Sequence, residues 1–185
     1  GAVDLSIYNL TLSESGTGSI SGVISGTGSL THSGVGTLTL SGANTYSGGT
    51  TVSAGTLKAG ASSSGSVTNG PFGTGSVTVS DGASLDVSGQ TIANALSVQG
   101  SGAGSSGAVF NSAATEGRLD GAITLLGDTT IESVLGGGLT FGGTVDGAYG
   151  LTVVSDADVA FEGAVGASTS LGSVSVSAVT IDVAA

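Results

Sequence analysis

The sequence predicts an all-β chain wound as a single-stranded parallel β-helix, a solenoid of about 18–20 residues per rung. Three observations carry that prediction. Short segments alternate apolar and small polar residues, as in Thr37-Leu38-Thr39-Leu40 and Ser76-Val77-Thr78-Val79, the period of a half-buried strand. Ser-Gly, Asn-Gly, Asp-Gly and Gly-Gly pairs punctuate the segments and mark tight turns. The segments also come back at a nearly fixed interval, the sign of stacked repeats.

Composition supports each element of this reading. Glycine supplies 36 of 185 residues, yet 38% of the chain is apolar, which separates it from a flexible linker. The apolar set is Val, Leu, Ile and Ala, with four Phe and three Tyr. Each interior Gly costs a helix about 1 kcal/mol relative to Ala, so helices are disfavoured throughout. Glycine and asparagine suit the corners, where positive φ is needed. Ser and Thr suit the outer faces of the strands.

The interval is read from Leu38 to Leu57 (19), Leu57 to Val77 (20) and Val77 to Leu96 (19), with Ile20 lying 18 before Leu38. It returns from Leu139 to Val159 and from Val159 to Val179, 20 residues each. One period holds two or three strand-sized pieces, such as Val77–Val79, Leu85–Val87 and Ile92 towards Leu96. Three short strands and three turns make one rung. A sandwich spaces its strands similarly but has no reason to re-phase them at every third strand. Between Leu96 and Ile123 the gap widens to 27, and residues 100–118 are expected to leave the coil as a loop. Residues 1–185 therefore read as one solenoid segment, without terminal caps and belonging to a longer chain.

Charge excludes several functions. The net charge is −11, and Lys58 and Arg118 are the only Lys or Arg residues. Nucleic-acid binding needs many phosphate contacts, and an anionic membrane surface needs a basic patch. No apolar run approaches the length of a membrane-spanning helix, so membrane insertion of this segment is not expected. Cysteine is absent.

Candidate chemistry is sparse. GAGSSG at 102–107 fits a GxGxxG pattern, but no strand-to-helix context surrounds it. His32 has no serine-nucleophile motif to serve and is expected to face solvent beside its Gly corner. Asp156 and Asp158, two apart on an expected strand, would share a face, and Asp81 and Asp86 less directly. Such pairs serve glycoside hydrolysis. The polyanionic substrates of many β-helical enzymes need cations that this chain lacks, so no enzyme and no catalytic residue is expected. No cofactor or resident metal is expected either. Asp128, Asp156 and Asp158 leave room only for surface calcium. Asn9-Leu10-Thr11 forms an acceptor sequon. Ice recognition would need a repeated Thr-x-Thr ladder, and Thr37-x-Thr39 does not recur at matching positions in later rungs.

One stretch carries a resemblance. GTLTLSGANTYSGGTTVSAGTLKAG, Gly36–Gly60, is similar to the passenger-associated repeat of bacterial autotransporters. It lacks one spacer residue after the first Gly, and only one full copy is present. GTGSVTVSDGASLDVSGQTIANALSVQG (Gly73–Gly100) and LTFGGTVDGAYGLTV (Leu139–Val153) are similar to sequences that flank such repeats. The resemblance implies a right-handed β-helical passenger, secreted or displayed on the Gram-negative cell surface. Its export partner would be an outer-membrane β-barrel translocator, or a related two-partner system, and the repeat would aid export and folding outside the cell. Leu38, Leu40, Val52 and Leu57 are expected to point inward. Asn44 and Tyr46 are expected to cap or line a corner that Gly48 and Gly49 turn. The function expected is a structural, adhesive stalk segment. The alternative is a module that binds a host or surface glycan or protein through the 100–118 loop, and a polysaccharide-degrading enzyme stands behind both.

Overall fold

The computed structural model describes residues 1–184. Parallel strands stack as a β-solenoid of about eight turns with roughly 22 residues per turn. Each complete turn has three faces, so equivalent strands pile into three columns. The first column runs Leu10–Leu12, Leu30–His32, Thr50–Val52, Val77–Val79, Leu96–Gly100, then the start of Ile123–Ser133, then Val145–Asp146. The second runs Thr17–Ile20, Thr37–Leu40, Gly55–Ala59, Ala83–Asp86 and Val109–Asn111. It continues through the end of Ile123–Ser133 to Gly150–Ser155 and Ser173–Ser177. The third begins with Val3–Asp4 under Ile24–Ser25. It resumes as a five-stranded sheet of Thr91–Ile92, Gly117–Leu119, Leu139–Phe141, Val159–Phe161 and Ile181–Val183. Every strand pair is parallel; Asn44 with Gly70, an isolated bridge, is antiparallel.

Register explains the core. Gly18, Leu38, Leu57, Leu85, Val109 and Ile131 lie one above another in the second column. Leu57, Leu85, Val109 and Ile131 are completely buried. In the third column Phe141 stacks on Phe161 with ring centroids 4.7 Å apart and planes 10° from parallel. Narrow coils leave little interior width, which is why branched aliphatics predominate. Burying each adds about 1.5–3 kcal/mol. Eight ladder spacings give a rod on the order of 40 Å long.

Corner glycines are dictated by the same stacking. A Cβ on Gly28 would lie 1.8 Å from the Tyr8 carbonyl oxygen, and one on Gly36 would lie 2.0 Å from the Gly16 oxygen. Where the backbone of one turn presses on the next, no side chain fits.

The interval read from sequence needs correction in its phase. Val77 and Leu96 share a column, but Leu57 belongs to the neighbouring one, over Leu38 and under Leu85. The segment between Gly60 and Gly70 leaves the ladder and lengthens that turn to 28 residues. The apparent 20-residue step from Leu57 to Val77 thus crosses from one face to the next. Ile20 pairs with Leu40, not Leu38, and Val159 pairs with Ile181, two residues beyond Val179. The 27-residue step from Leu96 to Ile123 is a true pairing. Within 100–118, Val109–Asn111 and Gly117–Leu119 are ladder strands, so only the part around the short 3₁₀ turn Ala103–Ser105 leaves the coil.

His32 also departs from expectation: it is fully buried, in register between Leu12 and Val52. Alternation on Leu30–His32 sends residue 32 inward whatever its polarity. Its Nδ1 lies 3.2 Å from Glu14 Oε1, yet neither ring nitrogen nor that oxygen has a hydrogen bond of acceptable geometry. An orphaned buried polar group costs about 1–3 kcal/mol. His32→Leu, which fits the aliphatic stack, is expected to raise stability by about 1–2 kcal/mol in urea titrations. A loss of stability would show that the imidazole is paired after all.

Candidate functional site

The stretch Leu38–Gly60 occupies the second and third turns. Leu40, Val52 and Leu57 are completely buried, and Leu38 nearly so. Leu38 and Leu40 pair with Leu57 and Ala59 above them, while Val52 stacks between His32 and Val79. Thr-x-Thr alternation puts these aliphatics on the inner face because successive side chains oppose each other.

Asn44 is buried at the next corner and uses both ends of its amide. Its Oδ1 accepts the Ile24 N–H at 2.8 Å, and its Nδ2 donates to the Pro71 carbonyl at 2.6 Å. Its backbone exchanges two further bonds with Gly70. One side chain therefore ties the turn below to the far end of the 60–70 excursion. Tyr46, also fully buried, donates its hydroxyl to Thr50 Oγ1 at 2.6 Å, and Thr50 donates to the Phe72 carbonyl at 3.0 Å. A Cβ on Gly73, at φ +70°, would lie 2.8 Å from the Tyr46 ring. Gly48 and Gly49 make the bend. A Cβ on Gly48 would meet the Gly28 carbonyl carbon at 2.6 Å, and Gly49 has φ +84°.

Burial holds the Tyr46 phenol well above the usual tyrosine range, against a smaller opposing effect of the Thr50 hydrogen bond. A pKa raised on folding leaves stability intact below the unfolded value, about pH 10, and removes it above that. Denaturant midpoints should therefore fall as pH rises past about 10, by about 1.4 kcal/mol per unit. Tyr46→Phe should flatten that slope. An unchanged slope in the variant would assign the alkaline sensitivity elsewhere.

Further polar ties escaped the sequence reading. Asn94, buried, donates to the Gly73 and Gly75 carbonyls and accepts from Ser63 Oγ; Asn111, buried, donates to the Thr115 and Gly138 carbonyls and accepts from Gly89 N–H. Lys58, Asp86 and Ser112 span three successive turns. Lys58 Nζ is 2.9 Å from Asp86 Oδ2 and 2.8 Å from Ser112 Oγ. Asp86 also accepts the N–H groups of Ser88 and Ser112. Arg118 joins Asp120 and Glu162 at 2.6 and 2.5 Å. The hydrogen bond to Glu162, with Asp120 adding to it, raises the guanidinium's pKa, and Arg118 lowers that of Glu162. Asparagine at a corner has no periodic signature that would single it out in sequence.

Neither carboxylate pair considered from the sequence shares a strand. Asp156 and Asp158 lie in the turn after Gly150–Ser155, not on a strand, and Asp156 accepts the Gly136 N–H at 3.0 Å. Asp128 lies at a different corner and accepts from Gly150 N–H. Asp81 is exposed whereas Asp86 is buried in its ion pair. Among the described residues no group of three or more His, Asp or Glu side chains gathers as a metal site. The 102–107 stretch forms a short 3₁₀ turn with no α-helix to follow it. No helix among the described residues is long and apolar enough to cross a membrane.

One feature of the outer surface lay hidden until the register was known. Thr11, Thr31, Thr51 and Thr78 stand directly above one another in the first column, followed by Ser97 and Thr124. A second, shorter row runs through Thr17, Thr37, Thr56 and Ser84, whereas Thr39 lies under Lys58, so the Thr-x-Thr pair itself is not repeated.

Comparison with known proteins agrees with this geometry over a limited span. Residues 30–59 match the family described as passenger-associated-transport-repeat. No curated protein and no solved structure matches the chain. The matched residues are those whose inward leucines, Asn44 clamp and Tyr46–Thr50 pair build the second and third turns. The chain carries a passenger-associated-transport-repeat set into a parallel β-solenoid, an architecture in keeping with an autotransporter passenger repeat.

Proposed function

We propose that this chain is a stalk segment of an exported, adhesin-like passenger, and that its role is mechanical, without catalysis or a bound cofactor. The repeat at 30–59 supports secretion or display on the outer face of a Gram-negative cell, through an outer-membrane β-barrel translocator. The observation that carries the reading is the continuous parallel ladder in which that repeat is embedded. Each new turn finds a ready hydrogen-bonding edge and an apolar floor on the one before it. Turns that form outside the cell hold the emerging chain there, and the finished rod keeps whatever it bears away from the membrane. The two cations are both spent in ion pairs, which fits a partner other than nucleic acid.

Fusing the chain to a β-barrel translocator tests the export role. Removing residues 30–59 should sharply reduce the amount cleaved by protease added outside intact cells. Equal surface exposure with and without the repeat would refute that role.

A further inference from the structure

The corner between the first and second columns holds a groove that the stalk reading leaves unused. Its volume is about 410 Å³, and Asp81, Ser101, Asp128, Thr130, Thr152 and Ser173 line it. An adjoining recess of about 280 Å³ again brings Asp81 and Asp128 together, beside Gln99. The groove draws on the fourth to eighth turns and so extends along the coil, roughly 20 Å at the ladder spacing.

Two glycines keep it open. A Cβ on Gly100 would lie 2.1 Å from Asp81 Oδ1, and one on Gly150 would lie 2.8 Å from Ser173 Oγ and 3.2 Å from Asp128 Oδ1. Asp128 is oriented by the Gly150 N–H at 2.8 Å through one oxygen, which leaves the other uncommitted. Thr129 spends its hydroxyl on the Gly127 and Val98 carbonyls, closing the wall. Thr130 and Thr152, paired neighbours on the outer face, have hydroxyls without a partner among the described residues. Leu126 and Tyr149, each 44% exposed, stand next in sequence to the groove's Gly127 and Gly150.

We infer that this groove binds an amine-bearing glycan, an extended hexosamine oligomer with free amino groups. Carboxylates offer only acceptors, so the ligand must donate hydrogen bonds. No cation lines the groove and the chain carries −11, so uronic or sulfated sugars are repelled. Ammonium groups suit Asp81 and Asp128, and ring hydroxyls suit Thr130 and Thr152. The inference builds on the adhesive reading by naming its ligand class.

A highly acidic rod attracts any polycation, so the test uses charge-matched variants. A glucosamine tetramer is titrated into the whole chain by calorimetry, beside its fully N-acetylated counterpart. Asp81→Asn with Asp128→Asn should weaken the free-amine tetramer at least tenfold. Asp4→Asn with Asp182→Asn, equal in charge but outside the groove, should change it less than twofold, and the acetylated tetramer should bind more weakly to the native chain. Thermal midpoints of both variants report that the fold is intact. Absence of binding to the native chain, or equal loss in both variants, overturns the groove. Surface exposure of the translocator fusion is read independently, so a chain that exports but ignores the tetramer sinks this inference and not the stalk.

Discussion

Val77→Asp together with Val79→Asp is expected to unfold the chain, read as loss of protease resistance and of the β-sheet circular dichroism signal. Both valines are completely buried and lie in register between Thr50 and Val52 below and Leu96 and Val98 above. Each substitution removes apolar burial and introduces a carboxyl group without a partner, about 3–5 kcal/mol. The pair therefore approaches the whole stability of an ordinary domain, about 5–15 kcal/mol. A solenoid adds a reason for severity. Turns are stabilised by their neighbours, so a failed fourth turn strips support from the third and the fifth. Thr78→Asp, on the same strand but facing out, is the control and should leave resistance nearly unchanged. Protease resistance that survives the double change would mean that these valines do not form the core.

Asp86→Ala is expected to be the most damaging single polar substitution, lowering stability by about 2–4 kcal/mol in urea titrations. The Asp86 side chain is 3% exposed, and removing it strands two backbone N–H groups, the Ser112 hydroxyl and the Lys58 ammonium. The ammonium is a third exposed and recovers part of its hydration, which keeps the loss below that of a fully buried pair. Lys58→Met should therefore cost distinctly less than Asp86→Ala, because Asp86 keeps its other three donors. Equal costs would place the stabilisation in the ion pair alone.

The architecture was legible because alternation and corner glycines are local, and each turn repeats them. Leu38, Leu40, Val52 and Leu57 needed only the period-two rule to be placed inside. The same rule, applied to Leu30-Thr31-His32, puts His32 in the core; the adjacent Gly corner suggests a solvent-facing position, and the pairing geometry prevails. Phase was harder. A residue count cannot tell a full turn from a part turn followed by an excursion, so Leu57 and Val77 seemed stacked when the 60–70 segment separates them. Asn44 is legible because it sits inside a repeat motif, whereas Asn94 and Asn111 do similar work without a motif around them. The groove could not be read at all. Asp81 and Asp128 are 47 residues apart and meet only because two turns of different length bring their corners into line.

Ile123–Ser133 is one eleven-residue strand that belongs to two columns at once, paired with Leu96–Gly100 and Val109–Asn111 on one side and with Val145–Asp146 and Gly150–Ser155 on the other. Elsewhere a chain pulled from either end can unspool one short strand at a time. Here two faces must be released together, so traction from above and from below meets its stiffest knot near the same place. Unravelling under load would then halt midway, with half the coil still wound.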